Sequence, residues 1–143
     1  MYSSVRRAID TYAEVGVETG VASADPHKLI LMLFDGALAA IASARLAMNN
    51  GEIAAKTAAF TKAIAIVDGG LKASLDVKAG GELAERLFGL YDYMLNQLFL
   101  ANLHSEVAML DEVGRLLREL RGAWAQIGNA TQNLTTIGEV AVK

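Results

Sequence analysis

The 143-residue chain contains no cysteine and a single proline. Without thiolate sulfur there is no disulfide framework, zinc ribbon, iron–sulfur ligand set or thiol nucleophile. Aromatic residues are scarce, at 6%, and charged residues make up only 20%. Thirteen Lys and Arg stand against sixteen Asp and Glu, a formal charge of −3, so the chain lacks the global positive field that holds nucleic acid by counterion release. Long apolar runs are also missing. The longest, Leu29–Phe34 and Ala37–Ala42, are six residues each, against the ~20 needed to cross a bilayer. The opening MYSSVRRAIDTYAEVG lacks the continuous apolar stretch of a secretory signal. A soluble, cytoplasmic protein with no membrane insertion is the expectation.

What the chain does have is aliphatic helix former. Ala (25) and Leu (19) dominate a 53% hydrophobic composition, and no segment alternates cleanly at period two. Residues 1–15 carry Val5, Ile9 and Tyr12 at helical spacing, and the glycine-containing stretch 15–24 then reads as a flexible connector. Asp25-Pro26 marks a strong helix start, since the carboxylate can accept an orphan backbone N–H and proline at N1 has none to waste. That helix runs to about Met48 and stops at Asn49-Asn50-Gly51. A second helix is expected over 52–75, with Ile53, Phe60, Ile64, Val67 and Leu71 on one face and a kink or break at Gly69-Gly70. A third spans 82–103, with Leu83, Leu87, Leu90, Tyr91, Met94, Leu98 and Ala101. A fourth, with Ser105 as its N-cap, carries Leu110, Val113, Leu117, Leu120, Trp124 and Ile127. After Gly128 the pattern dissolves.

Four helices of similar length and short loops predict an all-α fold, an antiparallel up-and-down four-helix bundle preceded by a short N-terminal helical segment. The expected division is 1–24 flexible segment, 25–127 bundle and 128–143 tail.

Two helices are more apolar than a bundle core requires. In the first, Leu29, Leu33, Ala40 and Ala44 lie beside a second stripe of Ile30, Phe34, Ala37 and Ile41. In the third, Phe88, Leu95 and Phe99 lie beside the Leu83–Leu87–Leu90–Met94 stripe. The surplus is either a wide face buried by two neighbours or a groove left for an apolar partner helix. Tyr12 fits a plug in such a groove and, equally well, a staple that packs the segment onto the bundle.

No catalytic constellation is present, and neither enzyme activity nor a cofactor is expected. His27 and His104 lack the Glu-x-x-His pairing of di-iron bundles and a third ligand for zinc, and read as exposed residues near helix ends. The carboxylate pairs Asp111/Glu112 and Glu82/Glu85 read as helix-end and solvated-face charges, as do Arg115, Arg118, Glu119 and Arg121. No phosphate-binding glycine loop occurs.

Three segments carry a resemblance. PHKLILMLFDGAL (26–38), GGELAERLFGLYDYMLNQLFLANL (80–103) and EVGRLLRELRGAW (112–124), with Tyr12 upstream, resemble in order and spacing the FliS family of flagellin-specific export chaperones. The glycine pair at 69–70 departs from the family pattern. The resemblance implies a cytoplasmic helical bundle that binds the disordered C-terminal region of flagellin, prevents premature polymerisation and assists delivery to the flagellar type III export apparatus. It also implies that the N-terminal segment, through Tyr12, covers part of the binding surface in the unbound state. Apolar spacing makes Leu71, Leu75, Leu87, Tyr91 and Met94 the candidate groove. A self-associating bundle, whose surplus face makes a homodimer, is the alternative.

Overall fold

The computed structural model describes residues 25–142, with side chains described over 25–128. Tyr12 and the rest of the N-terminal segment lie outside the described residues. Helices follow one another with short turns: α1 (Pro26–Asn50), α2 (Ile53–Ala65, continuing as a π-helical stretch Ile66–Lys72), α3 (Val77–His104) and α4 (Val107–Val142). The fold is an all-α bundle, with no strand among the described residues.

Local chemistry explains most boundaries. Asp25 Oδ1 accepts the Lys28 N–H at 2.7 Å with Pro26 at the first helical position, so two of the problems of a helix start are solved by adjacent residues. Gly51 closes α1 in the left-handed region (φ 68°), its N–H reaching back to the Met48 carbonyl. Asp76 caps a single turn through the Ala79 N–H, and this hydrogen bond holds its carboxyl below the usual carboxylate range. That turn ends at Gly81, whose φ of 57° interrupts the helix, so regular α3 begins at Glu82 as the sequence pattern predicts.

Three boundaries depart from the sequence expectation. The glycine pair does not break α2. It falls within a π-helical stretch that absorbs an extra residue per turn. Gly70 packs directly on α1, where a Cβ would meet Leu33 Cδ2 at 3.0 Å. Ser105 does not cap α4. It adopts left-handed geometry (φ 53°) and closes α3 instead, with its N–H on the Ala101 carbonyl. And α4 does not stop near Gly128 but remains helical to Val142. One glycine costs a helix about 1 kcal/mol, which is too little to end one by itself.

The core is drawn from every helix: Leu29, Leu33, Phe34 and Ile41 of α1, Phe60, Val67 and Leu71 of the second segment, Tyr91, Met94 and Leu98 of α3, and Leu110, Val113 and Leu117 of α4. No polar or charged residue is buried among the described residues. By length and hydropathy α1 could span a membrane, yet its apolar stripe forms the centre of this core. Ile53 and Leu83 are exceptions to the expected stripes. Core contact begins at Ala59 on α2 and Ala84 on α3, so the first turns of both helices stand clear of it.

Polar pairs on the surface fix how the helices lie. Along α1 and α4 they run in opposite order: Arg45 with Asp111 (2.9 and 3.0 Å), Asp35 with Arg121, then His27 with Trp124. Charge assistance from Asp111 and Asp35 keeps both guanidinium groups above their ordinary value.

Candidate functional site

The candidate site is an apolar surface. On α3 the residues facing the interior are Ala84, Tyr91, Met94, Leu98 and Ala101. Beside them, on the flank toward α2, stands a second row. Phe88, Leu95 and Phe99 are seven and four residues apart, so they share one face of the helix. Phe88 is 39% exposed and Phe99 59%, while Leu95 packs partly on the core. Leu103, one turn further, is 62% exposed.

The α2 side of this row is identified by its contacts. Lys72, the last residue of the π-helical stretch, places Nζ 4.5 Å from the Phe88 ring centroid and 2.6 Å from Asp92 Oδ1. At the opposite end Lys56 Nζ donates to Ser105 Oγ at 2.8 Å. Phe88, Leu95 and Phe99 therefore line a seam between the second helical segment and α3. The far flank of α3 faces α4 and is polar, with the Tyr93 hydroxyl and Gln97 amide both donating to Glu112 Oε1. The bond to Glu112 raises the Tyr93 hydroxyl above the ordinary tyrosine value.

The five residues selected from the sequence are divided by the structure. Leu71, Tyr91 and Met94 are sealed in the core, and burial pushes the Tyr91 hydroxyl well above its usual range. Leu75 and Leu87 are half-buried at the edge of the core. The row that reaches solvent is Phe88–Leu95–Phe99, which the sequence marks as surplus without singling it out as the surface. Both rows have helical spacing, and periodicity alone does not tell which faces inward. The signal that separates them is polarity on the opposite flank: Tyr93, Gln97 and Glu112 assign that side to α4.

His27 is not the exposed histidine expected. Its imidazole stacks on Trp124 (centroids 5.0 Å apart, planes 11° from parallel). Its Nε2 lies 2.6 Å from the Trp124 carbonyl, which can only accept, so Nε2 carries the proton. In return the Trp124 indole donates to the His27 carbonyl at 3.0 Å. Gly128 leaves room for the ring, since a Cβ there would overlap it. This clasp joins the start of α1 to α4 and consumes the histidine structurally. His104 is exposed at the end of α3.

Elsewhere, a shallow trench of about 610 Å³ between α1 and α4 is floored by Leu38, Ile41 and Gly114 and walled by the Arg45–Asp111 pair. No group of three His, Cys, Asp or Glu side chains converges as a metal site among the described residues.

Comparison with known proteins gives this surface its context. The family model described as flagellar protein FliS matches residues 8–131. The flagellar secretion chaperone FliS of Salmonella typhimurium LT2 is 50% identical over 119 residues, covering 83% of this chain and 88% of that protein. Flagellar secretion chaperone FliSB of Pseudomonas aeruginosa is 42% identical, over 86% of this chain and 97% of its own. The Bacillus subtilis FliS chaperone is 31% identical, over 76% and 80%. A match running from residue 8 in the N-terminal segment to residue 131 in α4, over a bundle with an apolar row left on its outside, means that the chain belongs to the FliS family of flagellar proteins.

Proposed function

We propose that this protein is a cytoplasmic chaperone that holds the disordered C-terminal region of flagellin as helical pieces on the Phe88–Leu95–Phe99 row, prevents its premature polymerisation and delivers it to the flagellar export apparatus. The observation that carries the reading is that row, because a chain with 39% and 59% exposed phenylalanines on one helix face leaves apolar area that its own folding does not use. Leu75 and Leu87 border the proposed surface, and Leu71, Tyr91 and Met94 support it from beneath.

The energetics suit a carrier. Apolar burial yields about 25 cal/mol per Å², and ordering a disordered segment takes back several kcal/mol. A long apolar contact is therefore useful and reversible, with release by competition and mass action.

The N-terminal segment serves as the temporary cover. From Tyr12 to Asp25 there are 13 residues, which extended reach about 45 Å. The row from Phe88 to Leu103 is 15 residues long, about 22 Å of helix. The segment is thus longer than the row it would cover.

The test is a titration of the full chain with flagellin and with flagellin lacking its C-terminal region. Binding of the first alone supports the reading, and equal binding of both, or of neither, overturns it.

A further inference from the structure

The seam between the second helical segment and α3 is not simply open. Lys72 lies across one end of it, with its ammonium over the face of the Phe88 ring and paired to Asp92, and with Asp68 also 3.9 Å away. Asp92 lies one turn beyond Phe88 on the same face of α3, so the carboxylate holds the ammonium where it covers the ring. The aromatic face that an incoming apolar side chain would use is thus already occupied by a cation.

We propose that Lys72 is a displaceable latch on the apolar seam, closed in the free protein and opened when a client helix takes its place over Phe88. This rests on the flagellin reading above and adds to it a residue that sets client affinity. Two features fit a latch better than a fixed strut. The lysine stem is flexible and can swing its head to solvent without moving the backbone. Both of its carboxylate partners are at least half exposed, at 50% for Asp92 and 60% for Asp68, and pairs of that kind hold weakly.

A latch and a client contact predict opposite signs. If Lys72 competes with the client, removing it strengthens binding; if it grips the client, removing it weakens binding. The experiment is calorimetric titration of the full-length wild type, Lys72→Ala and Lys72→Arg with the flagellin C-terminal region, in low salt and in 1 M salt. Circular dichroism confirms that all three remain helical. The expected result is that Lys72→Ala binds about three- to tenfold more tightly in low salt, the combined strength of an exposed ion pair and a surface cation–π contact. The gap narrows in 1 M salt, where screening loosens the wild-type pair. Lys72→Arg, whose guanidinium pairs with carboxylates and stacks on aromatic faces at least as firmly, binds no more tightly than wild type. Client-free Lys72→Ala also binds more hydrophobic dye, because Phe88 is uncovered. Weaker or unchanged client binding by Lys72→Ala overturns the latch. Loss of binding by every form, wild type included, overturns the flagellin reading instead.

Discussion

Two substitutions on one helix separate the surface row from the core. Phe99 is 59% exposed, so about two-fifths of its side chain is removed from water by the fold. Full burial of a phenylalanine contributes about 1.5–3 kcal/mol, and the share at risk in Phe99→Asp is therefore about 0.6–1.2 kcal/mol. Against a typical domain stability of about 5–15 kcal/mol, the bundle stays folded. Met94, five residues earlier, is fully buried. Shortening a buried methionine costs about 2–5 kcal/mol before any charge is added, and an unpaired carboxylate in a core without buried polar partners adds its desolvation. Met94→Asp should therefore unfold or nearly unfold the protein. Urea titrations followed by circular dichroism give the stabilities, and flagellin titration gives the binding. Phe99→Asp is expected to keep a near-native midpoint and lose at least tenfold in flagellin affinity. If it unfolds the bundle, Phe99 belongs to the core, and if it binds flagellin as wild type does, the row is not the binding surface.

Further predictions concern the joints of the bundle. Gly128→Ala places a methyl where the His27 ring lies, so the clasp should open at a cost of about 1–3 kcal/mol. The emission of Trp124, the only tryptophan in the chain, will shift as stacking is lost; an unchanged spectrum would mean that the ring accommodates the methyl in place. Gly70→Ala presses on Leu33 at 3.0 Å and should lower stability, read as a lower urea midpoint, whereas a gain in stability would show that helix propensity outweighs the close approach. Tyr91 and Tyr93 hold their protons more tightly in the folded chain than unfolded, the first through burial and the second through Glu112. Their contribution to stability is intact below the ordinary tyrosine value of about 10 and is lost as pH rises above it. An absorbance titration should show a late tyrosine phase that disappears in denaturant, and a single phase near pH 10 in the native protein would refute it.

Much of this was legible from residue order, and the failures have local causes. Asp25-Pro26 and Gly51 set the ends of α1 because capping chemistry is contained in adjacent residues. The break at Gly81 was equally readable, since the composition changes there. The glycine pair misleads because propensity counts the cost of Gly70 in an isolated helix and cannot see Leu33, whose close approach needs the missing side chain. Ser105 misleads for a related reason. A serine between two helices suits the start of the second by type, and only the backbone shows it finishing the first. At the candidate surface, spacing points to Leu71, Tyr91 and Met94, and the neighbouring row of Phe88 and Phe99 has spacing just as good. The polar flank of Tyr93 and Gln97 is the one local sign of which row faces inward, and its pairing with Glu112 of α4 is a long-range contact that no window of sequence contains.

Part of the buried face of α1 is built of small side chains that distinguish poorly between registers: Ala37, Ala40, Ala44 and Ala47 present nearly the same profile at each turn. The stagger of α1 on α4 is reinforced by Arg45 with Asp111, Asp35 with Arg121 and the part-buried His27–Trp124 clasp, three pins at successive heights that act together. Removing the pins together would leave a molecule that still melts cooperatively from a helical state but populates several offsets of one rod against the other, and so trades a single shape for a family of them.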